Sequence, residues 1–151
     1  MKIVKKILIV LLIALVLIQF YRPEKNNAEL RDVAAFEAET NVDANIRIIM
    51  ENNCYSCHSN KTDYPWYAEV APVSYWLADH IVEGNKHFNV SQWATYSAKK
   101  KGHKLDELIE EVEEGEMPLE SFTYLHGSIT EAEKKAVIAW AKKARENYKF
   151  E

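Results

Sequence analysis

The sequence predicts an all-α domain behind a single N-terminal anchor helix. Three observations predict it. Apolar residues recur at three- and four-residue spacing in several stretches, and no convincing two-residue alternation occurs. Among 151 residues there are only four Gly and four Pro, too few for the tight turns of a β-sandwich. An unbroken apolar run, Ile7 to Ile18, follows a basic start.

The N-terminal element comes first. Lys2, Lys5 and Lys6 precede the run, a pattern that reads as an export signal. Counted from Ile3 to Tyr21, with the lysines snorkelling, the segment nearly reaches the length of a transmembrane helix. The residues that follow, Gln19-Phe20-Tyr21-Arg22-Pro23, are bulky and lack the small pair of a cleavage site. An uncleaved anchor over residues 1–22 is therefore expected, rather than a removed signal peptide. The lysines place its N-terminus in the cytoplasm and the rest of the chain outside. Residues 23–39 are polar with small residues and read as a stalk. Residues 40–151 form the domain.

Within the domain, Thr40 can cap a short helix whose Val42, Ile46 and Ile49 share a face and which runs into Cys54. Pro72 suits the first turn of a second helix, with Val73, Trp76, Leu77 and Ile81 as its stripe and Gly84 as its stop. Ser91 to Lys101, holding Trp93 and Tyr96, reads as a third. Leu105, Leu108, Ile109 and Val112 mark a fourth, stopped by Gly115. Thr130 to Glu133 is a capping box opening a last helix with Val137, Trp140, Ala141 and Ala144 on one face.

Charge divides the chain in the same place. Residues 1–22 carry Lys2, Lys5, Lys6 and Arg22 and no acid, hence +4. The remainder holds 15 of the 19 basic residues and all 23 acidic ones, hence −8. An acidic exported domain does not present the basic face that a nucleic acid requires. The acidic run Glu110 to Glu116 reads as a solvated helix face, with a lesser role in steering a basic redox partner.

Both cysteines lie in Cys54-Tyr55-Ser56-Cys57-His58. Zinc needs about four ligands, and no second pair with suitable spacing accompanies this one. A thioredoxin-type dithiol belongs after a strand in a βαβ unit. A disulfide is compatible with export, but so short a loop restrains the unfolded chain little and leaves His58 unexplained. The spacing is the attachment signature of c-type haem: two thiols become thioethers on one porphyrin edge, and His58 lies under the iron. Of the four readings haem ranks first, the disulfide second. Met117, in Glu116-Met117-Pro118, offers a thioether as sixth ligand, and His126 is the alternative. His80, His87 and His103 are weaker candidates, and Met50 reads as core. Trp66, Trp76, Trp93, Tyr67, Tyr75 and Tyr124 can wall a haem, although core packing accounts for each singly.

Beyond these residues, the sequence resembles the bacterial haem-binding domain family, small membrane-anchored relatives of cytochromes c. The resemblance is carried by "IQFYRPEKN", by the stretch from "CYSCHSNKTDYPWY" to "VSQW", by "EEVEEGEMPLESFTYLH" and by "ITEAEKKAVIAWAKK". It implies haem c on Cys54 and Cys57, His58 as axial ligand, and a cytochrome c-like fold in which the helix before the motif crosses the last one. It also implies a bacterial inner-membrane protein whose domain faces the periplasm. The function expected is electron transfer with redox partner proteins, through iron held by His58 and Met117, rather than enzyme catalysis. The other reading is a five-coordinate iron serving a peroxidase-like enzyme or a gas or redox sensor. A third is a disulfide-stapled interaction module.

Overall fold

The computed structural model describes residues 2–148. Seven α-helices follow one another: α1 (Lys2–Ile18), α2 (Ala34–Glu39), α3 (Ala44–Asn53), α4 (Val73–His87), α5 (Ala98–Glu114), α6 (Glu120–His126) and α7 (Glu131–Arg145). Short 3₁₀ turns lie at Trp66–Glu69, Val90–Thr95 and Glu146–Tyr148. Among the described residues there is no strand, only one isolated bridge between Asn27 and Lys61. The expected all-α class holds.

The caps explain where the helices begin. Asp43, in extended backbone, accepts from the amide of Ile46 and opens α3. Thr40, expected to cap this helix, instead closes α2, its hydroxyl donating to the Phe36 carbonyl at 2.6 Å. Ser97 opens α5 and Gly115 closes it at φ 81°, a left-handed conformation that favours glycine. The capping box of Thr130 and Glu133 forms as expected. The stretch read as a third helix divides into the 3₁₀ turn Val90–Thr95 and the first residues of α5.

Aromatic rings build the core. Phe36 is fully buried, with Trp93 at 5.0 Å, Phe88 and Trp140 at 5.8 Å and Tyr55 at 6.4 Å, all edge to face. Around them pack Ile46, Ile49, Met50, Leu105 and Val137. α7 lies against both α5 and α3, and the Trp140 indole N–H donates to the Thr40 carbonyl at 2.9 Å. The helix before the cysteine motif and the last helix thus meet.

Two expectations about the N-terminal part require correction. No helix among the described residues is long and apolar enough to cross a membrane. α1 has 17 residues, about 25 Å at 1.5 Å per residue, against about 30 Å of hydrocarbon. It ends at Ile18 because Gln19 turns aside: its side chain donates to the Ala71 carbonyl and accepts from the Ala71 amide. Phe20 and Tyr21 therefore add nothing to its length. Nor do residues 23–39 hang free as a stalk. Their polar side chains bind the loop after the cysteines, and Phe36 belongs to the core.

Candidate functional site

The segment from Cys54 to His58 continues α3 as one further turn. The amides of Cys57 and His58 both donate to the Cys54 carbonyl, at 3.1 and 3.0 Å. Both thiols and the imidazole are half-buried, and the two cysteines stand as free thiols. The loop beyond is fixed by polar side chains. Ser59 donates to the Tyr55 carbonyl at 2.5 Å and Thr62 to the Ser56 carbonyl at 2.6 Å. Asn26 reaches both Ser59 and Thr62, and Arg31 binds the Lys61 carbonyl through two nitrogens. These bonds occupy backbone groups that would otherwise be costly to bury.

His58 is oriented by backbone from α4. Its Nδ1 lies 2.9 Å from the Phe88 carbonyl oxygen and 3.1 Å from that of Gly84. Carbonyls only accept, so Nδ1 carries the proton. Nε2, which has no hydrogen-bond partner among the described residues, holds the lone pair. Burial lowers the proton affinity of His58 and outweighs the two carbonyls, which raise it. The ring is a neutral imidazole with one fixed tautomer and one nitrogen to coordinate with.

Gly84 makes this approach possible. A methyl there would sit 3.1 Å from the Cys57 carbonyl oxygen and 3.5 Å from the His58 ring. Gly84 was expected to stop its helix. It lies instead three residues before the last residue of α4, and its role is close packing.

Burial pushes the Cys54 thiol up to about 12, with the neighbouring Cys57 adding to the effect. Burial also raises Cys57. In the finished fold both sulfurs are protonated and poor nucleophiles.

The other candidates are spread more widely. Met117 follows the Gly115 turn, half-buried, its amide donating to the Glu111 carbonyl at 3.1 Å. Among the described residues no hydrogen bond joins it to the Cys54–His58 turn. His126, at the end of α6, stacks on Phe122 at 4.4 Å and meets the Tyr67 hydroxyl at 2.5 Å. Tyr67 is close enough to Cys57 for a thiolate there to disfavour its own ionisation, although burial does more. His80 bonds the Trp76 carbonyl, and His87 and His103 face Glu83 and Glu107. Sequence reasoning gave Phe88 and Asn26 no role at the site and placed no helix over Glu120–His126.

Among the described residues, no group of three or more His, Cys, Asp or Glu could hold a bare metal ion. The donor set suits a metal that brings most of its ligands with it, as a porphyrin iron does: one imidazole nitrogen, two thiols a turn apart and a thioether elsewhere in the chain. The model of the haem-binding domain family matches residues 13–143 of this chain. No curated protein and no solved structure matches it.

Proposed function

The chain belongs to the haem-binding domain family, and from that premise we propose that it is a c-type cytochrome that carries single electrons. Haem supplies an iron that takes up and releases one electron. Cys54 and Cys57 would hold it, their two thiols a turn apart supplying thioether links. His58 would hold the iron through Nε2, the nitrogen left without a hydrogen-bond partner among the described residues. The observation that carries this reading is the Nδ1 proton held by the carbonyls of Phe88 and Gly84. Such a bond fixes the ring and raises the basicity of the coordinating nitrogen.

Met117 would supply a second protein donor to the iron. A thioether does not compete for protons and stabilises the reduced iron. With His58 and Met117 both holding the iron, little rearrangement would accompany electron transfer. Redox partner proteins collect the electron, and the acidic outer face of α5 favours a basic partner. The acidic domain takes no nucleic acid. α1, none of whose residues is buried, holds the protein by its apolar sides at the periplasmic face of a bacterial inner membrane.

The test is a haem stain on a denaturing gel, after expression in a host that matures c-type cytochromes. The wild-type band stains, and the Cys54→Ala, Cys57→Ala variant does not. A colourless wild-type band sinks the covalent reading. Membrane fractions stripped at high salt retain the protein; release at that step removes the membrane assignment.

A further inference from the structure

Asn89 stands between the two residues that grip His58. On one side of it, the Phe88 carbonyl meets the imidazole Nδ1 at 2.9 Å. On the other, the Val90 amide donates to the His58 carbonyl at 2.8 Å. His58 is thus held by side chain and by backbone. Ser91 extends the grip to the loop beyond the motif: its hydroxyl accepts from the Asn60 amide at 3.1 Å and donates to the Asn60 side-chain oxygen at 3.0 Å.

Phe88 and Asn89 are extended residues between the end of α4 and the 3₁₀ turn Val90–Thr95. Extended backbone has no helical ladder to hold it, so its place is set from outside. Asn89 does this. It is 4% exposed, although asparagine is a residue of surfaces. Its Oδ1 accepts from the Ser91 amide at 2.9 Å, and its Nδ2 donates to the Asn85 side-chain oxygen. Asn85 in turn donates to the Ile81 carbonyl at 3.1 Å. A polar chain therefore runs from the body of α4 to Ser91, and the groups that hold His58 lie along it. An ordinary helix cap accounts for the bond to Ser91. It accounts neither for the burial nor for the bond back to α4.

We infer that Asn89 is a positioning residue for His58, fixing Phe88–Val90 and through them the direction of the imidazole. The inference rests on the reading of His58 as an iron ligand. Without the Asn89 side chain the Ser91 amide loses its acceptor, the 88–90 backbone loosens, and the Nδ1 bond opens more often. A weaker Nδ1 bond makes the ring a poorer donor through Nε2, which favours the reduced iron.

The experiment uses the haem-loaded full chain. Proton NMR of the reduced protein follows exchange of the His58 Nδ1 proton with water, beside the backbone amides of α5 and α7, and the reduction potential is measured in parallel. In Asn89→Ala the Nδ1 proton exchanges roughly tenfold faster and the potential rises, while the amides keep their rates. Asn89→Ser retains an acceptor for the Ser91 amide and returns both values to those of the wild type. Equal acceleration at His58 and in α5 and α7 would make Asn89 a merely structural residue and overturn the inference. So would an unmoved Nδ1 proton and potential in Asn89→Ala. Should that variant fail to accumulate, Asn85→Ala cuts only the bond back to α4; a rise of roughly threefold confined to His58 is expected there, and no rise overturns the inference. Failure of the ligand reading shows separately, as an unchanged spectrum in His58→Ala.

Discussion

The imidazole Nδ1 of His58 lies 2.9 Å from the carbonyl oxygen of Phe88. One residue thus fixes the tautomer of His58 through its carbonyl and packs its ring against Phe36 and Trp93 of the aromatic core. His58→Ala removes the nitrogen proposed to hold the iron. The expected outcome is loss of the low-spin absorbance spectrum, restored by added imidazole. An unchanged spectrum would exclude His58 as ligand.

Gly84 gives a test of packing against propensity. At an exposed helix site Ala is more stable than Val, and Val more stable than Gly. Here a methyl meets the Cys57 carbonyl oxygen at 3.1 Å. Overpacking costs about 1–3 kcal/mol, against about 1 kcal/mol gained in propensity. The order is therefore reversed: Gly most stable, Ala lower by about 1 kcal/mol, Val lower still. Urea denaturation of the three proteins decides it.

Phe36 lies in the segment before the domain's expected start, yet four aromatic rings surround it. Phe36→Ala is expected to lose about 3–5 kcal/mol. A chain lacking residues 23–39 loses this ring and the side chains of Asn26 and Arg31, and should fail to give a cooperative unfolding transition by circular dichroism. A sharp transition in that truncated chain would mean that the segment is dispensable.

Met117→Ala is expected to open the iron to carbon monoxide and to lower the reduction potential. If neither changes, the sixth position belongs to another group, and the same measurement on His126→Ala identifies or excludes the nearest alternative.

Stability should depend on pH through Glu39. The Lys101 ammonium, 2.6 Å away, holds its carboxyl below the ordinary value of 4.5, and Tyr148 assists while burial opposes. A lowered value in the fold means the contribution is present above 4.5 and fades as pH falls through the folded value. The carboxylate side chain is 40% exposed, so solvent screening keeps the effect below about 1 kcal/mol. Lys101→Met should lower the Tm at neutral pH and leave it unchanged well below pH 4.5. An equal loss at both values would place the effect in packing.

What could be read from the sequence was local. The capping box at Thr130 and the stop at Gly115 are each specified within a few residues and stand where expected, and α3 runs into Cys54 as its apolar spacing implies. Long-range bonds were not legible. Gln19 ends α1 because its amide meets Ala71, fifty-two residues away. Asn26 and Arg31 read as solvated because their partners are backbone carbonyls, which have no sequence signature. Gly84 near the end of an apolar stripe resembles a stop, and only the approach of Cys57 distinguishes it. Thr40 and Asp43 both suit a cap, and the buried bond of Trp140 to the Thr40 carbonyl settles which one starts the helix.

That bond joins residues 100 positions apart, and the Tyr148 hydroxyl reaches Glu39 over 109. Closure of the core thus waits for the last part of the chain to be made. A chain cut after α6 would therefore lose more than its last helix: the ring of Phe36, far back in the sequence, would lose a wall as well.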